Sequence, residues 1–222
     1  MNRELMRRIL DKGVSWQVFL AIVGLASVSF AETRTTYTVD PARSELVVQL
    51  FKAGVGSALA HDHIVRATAF VGQVQLDLTT PANGAIAVEV QTASLAVDEP
   101  EMRKKYSLAS RLSDKDRQQI QETMQSSSQL AVVQYPTMTF TSTRIEARTP
   151  GTYAVTGNLV IRGIAQKVNF LVQLEPNGKA LHAKGSFRFK QSLFGYQPYS
   201  ALLGAVRNED EVLLHFDVLA TP

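Results

Sequence analysis

Residues Gly151–Lys190 read Gly-Thr-Tyr-Ala-Val-Thr-Gly-Asn-Leu-Val-Ile-Arg-Gly-Ile-Ala-Gln-Lys-Val-Asn-Phe-Leu-Val-Gln-Leu-Glu-Pro-Asn-Gly-Lys-Ala-Leu-His-Ala-Lys-Gly-Ser-Phe-Arg-Phe-Lys. Three runs in this stretch alternate apolar and polar residues. Tyr153, Val155, Leu159 and Ile161 share one parity, as do Val168, Phe170, Val172 and Leu174, and then Leu181, Ala183, Phe187 and Phe189. A period of two sends alternate side chains to opposite faces of a strand, so each run has one dry and one wet face. The connections are short, Arg162 to Ala165 and a loop carrying Asn177-Gly178. Asn-Gly between alternating runs signals a hairpin, because both residue types accept positive φ. The stretch is expected to be an antiparallel meander.

The same pattern extends in both directions. Tyr37–Pro41 reads as a short strand stopped by proline. Ser44–Phe51 follows with Leu46, Val48 and Leu50 inward, then Phe70–Leu78, Ala85–Gln91 and Met138–Glu146, and at the C-terminus Glu211–Leu219. Residues 98–130 break the rhythm with Glu, Lys, Arg, Gln and Ser. Ser113-Asp114-Lys115-Asp116 resembles a capped helix start with acidic residues where the helix dipole favours them. Ile120 and Met124 would face the body, and Met102, Tyr106 and Ala109 suggest a second helical piece. A long antiparallel sheet with one dry face must close on itself or fold into a sandwich. The expected fold is all-β: an antiparallel up-and-down, lipocalin-like barrel of about eight strands with one helical crossing.

The chain has 222 residues, room for one sizeable core, and no cysteine, which excludes disulfides and thiolate chemistry. Residues 1–31 have the build of a secretory signal peptide. Arg3, Arg7, Arg8 and Lys12 precede an apolar run from Val18 to Val28, and small residues flank a cleavage point after Ala31. An uncleaved anchor is the alternative, although the run is short for a membrane span. Residues 32–222 are then a single periplasmic or secreted barrel domain. Because the leader, with Arg3, Arg7, Arg8 and Lys12 against Glu4 and Asp11, carries most of the chain's net charge of +3, the remainder is close to neutral, and no basic stripe interleaved with aromatics points to nucleic acid.

Three motifs in order bring a family into view: Tyr37-x-x-Asp40-x-x-x-Ser44, Tyr135-Pro136-x-Met138-x-Phe140-x-Ser142, and Gly157-x-Leu159-x-Ile161-Arg162-Gly163-Ile164. Across residues 35–219 the chain resembles the YceI-like family of secreted, lipocalin-like barrels described as polyisoprenoid- or lipid-binding. Ala60-His61-Asp62-His63, Ser128–Val133 and Gln191–Gly195 depart from the commoner family pattern and mark a divergent branch. The resemblance implies an isoprenoid or other long-chain lipid or quinone as partner, with a homodimer and transient membrane contact within its scope. It implies no cofactor.

The candidate apolar pocket is the inward set Val48, Phe70, Leu76, Val88, Phe140, Leu159, Ile161, Phe170, Phe187, Phe189 and Phe216; plain core is the alternative for each. Eight strands leave an interior that side chains fill or that holds one small ligand. Inward Gly72, Gly157 and Gly185 would leave room there, or let the sheet bend. The candidate polar mouth is His61, Asp62 and His63 with Tyr199; Tyr196 and Gln197 lie in the same late loop as Tyr199. A neutral histidine offers one donor and one acceptor to a quinone carbonyl or phosphate. The competing readings are a metal site using His61 and His63, for which the ligand count is short, or a histidine pair bonded to backbone. Arg66 and Arg162 would complement an anionic head group, or sit solvated on outer faces. His182 and His215 fall on outward faces. No Gly-x-Ser-x-Gly elbow or dinucleotide fingerprint occurs, so a binding protein is favoured over an enzyme. A metal-dependent enzyme, or an interaction module with a filled barrel, stands as the alternative.

Overall fold

The computed structural model describes residues 34–77, 80–108 and 112–222, without the side chain of Leu59. The expected leader and Ala109 lie outside them. Twelve strands form one antiparallel sheet: β1 (Thr35–Val39), β2 (Glu45–Ala53), β3 (His63–Ala67), β4 (Phe70–Leu76), β5 (Ala85–Gln91), β6 (Leu95–Val97), β7 (Thr137–Thr149), β8 (Thr152–Ile161), β9 (Ile164–Asn177), β10 (Ala180–Lys190), β11 (Ser200–Ala201) and β12 (Val206–Thr221). Helices α1 (Pro100–Lys105) and α2 (Asp114–Gln125) lie between β6 and β7.

Eight strands close the barrel in the order β1-β4-β5-β7-β8-β9-β10-β12, with β12 returning to β1. The meander β7 to β10 pairs in the register its alternation demands: Val155 opposite Phe170, Gly157 opposite Val168, Ala183 opposite Leu174. The β8–β9 turn is Arg162-Gly163, both with positive φ (52° and 72°), as a tight hairpin requires. The β9–β10 turn is Gly178-Lys179 and not Asn177-Gly178. Asn177 remains in the ladder opposite Ala180, and Gly178 supplies the positive φ.

The wall is not uniform. Strand β12 pairs with β10 along one edge; its other edge meets β2 and then, at Ala220 and Thr221, β1. At the β2 end the sheet runs outward through β3 and β6. That leaves β6 as an edge, and α2 covers it. Gln121 accepts from the Val97 amide at 3.0 Å and donates to the Leu95 carbonyl at 2.7 Å, so one side chain stands in for a neighbouring strand. Ser113 caps α2 by accepting from the Asp116 amide. Helix α1 covers the outer face of β2 and β3, where Val47, Ile64 and Met102 form a separate buried cluster.

Candidate functional site

The barrel encloses a cavity of about 400 Å³, overwhelmingly apolar in lining. Of the expected pocket residues, Val48, Val88, Phe140 and Leu159 line it, as do Ile161, Phe170, Phe187, Phe189 and Phe216. The phenylalanines form a connected cluster: Phe170 has ring centroids 5.4 Å from Phe140, 4.6 Å from Phe187 and 5.6 Å from Phe216. Phe189 continues it to the fully buried Phe194. Phe70 and Leu76 are buried but outside the lining. Phe70 packs with Val39, Ala67 and Ala220, and Leu76 sits at the far end of β4, opposite Thr35.

The glycines do not leave empty space. A Cβ on Gly157 would fall 2.5 Å from Cζ of Phe140, one on Gly185 2.4 Å from Cζ of Phe216, and one on Gly72 2.7 Å from Cγ2 of Val39. Side chains from neighbouring strands lie over these glycines, so the glycines seat packed groups and the cavity lies beyond them. Sequence showed the missing side chains but not the neighbours that use the room.

The expected polar mouth is only half assembled. Tyr199 and His63 line the cavity; His61 and Asp62 do not. His63 is not part of a loop, because it begins β3 and pairs with Leu50, while His61 and Asp62 precede the strand. Asp62 is turned to structural use. Its carboxylate accepts from the Lys52 amide at 2.8 Å, and its carbonyl accepts from Arg103 at 2.9 Å. Among the described residues, no cluster of three or more His, Cys, Asp or Glu converges as metal ligands, and His63 is committed elsewhere.

That commitment went unseen in the sequence. His63 Nδ1 lies 2.6 Å from Oδ2 of Asp98, a carboxylate with no solvent exposure. Oδ1 of Asp98 accepts from Arg103 Nη1 at 2.6 Å and from the Ile64 amide at 3.1 Å. Burial is the largest influence on this carboxyl and pushes its pKa up. The bonds from His63, Arg103 and Ile64 outweigh it and hold the group below the usual carboxylate range. Arg103 is itself buried. Sequence carried one weak signal for this: the charged residues Asp98 and Arg103 at the break in strand pattern.

The remaining polar lining gathers around the same end. Gln119 and Thr123 join Ile120 and Met124 on one face of α2, and Gln129, Gln191, Tyr196 and Asn208 also reach the cavity. Tyr196 is fixed by Arg162, whose guanidinium lies 5.5 Å from its ring centre and 5.7 Å from that of Tyr135, and donates to the Gly195 carbonyl. Burial pushes the Tyr196 hydroxyl pKa up, so it stays protonated. Arg66 holds Glu99 through two hydrogen bonds of 2.8 and 2.7 Å, away from the cavity.

A model of the YceI-like domain matches residues 37–220. The fold is similar to that of BcnA from Burkholderia cenocepacia, at 23% identity and a TM-score of 0.65, covering 82% of this chain and 99% of that one. It is also similar to the Campylobacter jejuni YCEI protein, at 16% identity and a TM-score of 0.54, covering 71% and 84%. No curated protein matches in sequence.

Proposed function

The chain belongs to the YceI-like family, and from that premise we propose that it holds an isoprenoid lipid or quinone-like amphiphile inside its barrel, as a carrier or sequestering protein. Barrels of this family bind hydrophobic ligands. The observation that carries the reading is the apolar cavity of about 400 Å³ left inside a closed sheet, with its polar groups gathered around one end. A cavity of that size is within the usual range for small-molecule sites. An apolar chain gains about 0.8 kcal/mol per buried CH₂, so each five-carbon unit contributes roughly 3–4 kcal/mol, enough over a few units to offset the cost of association. No catalytic step is needed.

The mouth also supports transient membrane contact as the loading route. Val55, Leu202 and Leu203 are exposed at 98%, 68% and 109%. Their loops touch, since the Gly56 amide donates to the Ala205 carbonyl, and Tyr199 and Asn208, which flank the second loop, line the cavity. Leu202 and Leu203 both have left-handed backbones, with φ of 50° and 54°. Left-handed backbone is uncommon in non-glycine residues, and the turn it forms holds both leucine side chains in solvent. The leader-like segment 1–31 supports a periplasmic or secreted location.

Protein recovered natively from a periplasmic fraction is expected to begin after Ala31 and to release a prenyl lipid or quinone on organic extraction, read by mass spectrometry. Repeatedly empty extracts, together with no uptake of added prenyl lipid, would overturn the reading.

A further inference from the structure

His63 is the one imidazole among the residues lining the cavity. Its Nδ1 faces Oδ2 of Asp98 at 2.6 Å, and among the described residues its Nε2 makes no hydrogen bond. Asp98 already accepts from Arg103 and from the Ile64 amide on its other oxygen. A carboxylate that takes two donors beside a guanidinium is ionised and has no proton to give. The bond to His63 therefore requires the proton on Nδ1, which leaves Nε2 of the neutral ring as a lone pair.

We propose that Asp98 fixes His63 in this tautomer so that Nε2 accepts from the head group in the cavity, selecting amphiphiles with an O–H donor, such as a prenol or quinol, over acceptor-only heads such as ethers and quinones. This rests on the amphiphile-carrier reading and sharpens it. An O–H placed against Nε2 satisfies two polar groups in an apolar enclosure. An ether or quinone oxygen there sets lone pair against lone pair and leaves both unsatisfied.

Farnesol and farnesyl methyl ether share one chain and differ in the donor. Their affinities are measured by titration at pH 8 for the wild type, His63→Leu and Asp98→Asn. The ratio favouring the alcohol is expected to fall roughly three- to tenfold in His63→Leu, the size of one neutral hydrogen bond. Asp98→Asn can donate its amide N–H to Nδ1, which moves the ring proton to Nε2, so the preference is expected to shift towards the ether. An alcohol-to-ether ratio unchanged in His63→Leu overturns the proposal while the carrier reading stands. An Asp98→Asn variant that folds with the wild-type ratio also overturns it. If Asp98→Asn does not fold, His63→Leu, which keeps the Asp98–Arg103 pair, decides alone. Failure of the wild type to bind either probe removes both the proposal and the carrier reading.

Discussion

Asp98 ties together β3, α1 and the cavity-lining His63. Its backbone is left-handed at φ 53°, its amide donates to the Ile64 carbonyl, and its carboxylate joins β3 to α1 through Ile64 and Arg103. Because its folded pKa lies below the unfolded value, near 3.9, its ionic contribution is complete above that value and is lost as pH falls through the lower folded one. Asp98→Ala takes the carboxylate from the buried Arg103 and is expected to cost about 3–5 kcal/mol at pH 7 in urea unfolding. The gap from the wild type should narrow below about pH 4. A loss under about 1 kcal/mol, or a gap independent of pH, would contradict this account. Single residues were the least legible scale in the sequence. The parity of Phe140, Phe170 and Phe216 placed them inside, but nothing in local order tells that Phe140 lies over Gly157 or that Asp98 meets His63 across 35 positions.

Among the elements, strands with one dry face could be read directly, and β7 to β10 form the expected antiparallel meander. Strands β3 and β6 escaped notice for a physical reason. In β3, Ile64 and Val65 are consecutive and both buried, because α1 covers the outer face while the barrel side covers the inner one, so no alternation survives. Strand β6 has only three residues. The α2 start was legible in Ser113 and the acidic residues after it, but its role in covering an edge depends on Gln121, an ordinary helix residue in sequence. Gln121→Leu keeps the helix propensity and removes the two hydrogen bonds to β6. It is expected to cost about 1–3 kcal/mol and to accelerate hydrogen exchange at the Val97 amide well beyond that of the β8 amides. Uniform exchange across both would show that the helix does not protect the edge.

For the whole molecule, closure was legible and the cavity was not. An antiparallel sheet with one dry face has few ways to hide it, so the barrel followed from the pattern. Whether its inward side chains fill the interior depends on how far opposite walls stand apart, which no single strand records. The exposed leucines beside the opening give a prediction at this scale. Leu202→Asp with Leu203→Asp is expected to reduce co-sedimentation with phosphatidylglycerol-containing vesicles severalfold, about what removing two interfacial leucines should do, with the thermal midpoint little changed. Equal sedimentation of variant and wild type would dismiss membrane contact at this rim.

The pairing of β12 with β1, β2 and β10 sets an order of events in time. Val39 waits for Ala220 and Leu46 for Phe216: β1 and β2 pair early with β4 and β3 on one edge, but their other edges stay unpaired until β12 is available. Such long sequence separations place folding in the slow range, roughly milliseconds to seconds. Until then β1 and β2 each keep one open edge beside an apolar face, the condition in which strands of separate chains pair with one another. Losing the second half of β12 would therefore do more than trim a strand: it would leave β1 and β2 each with an unpaired edge at the other end of the sequence.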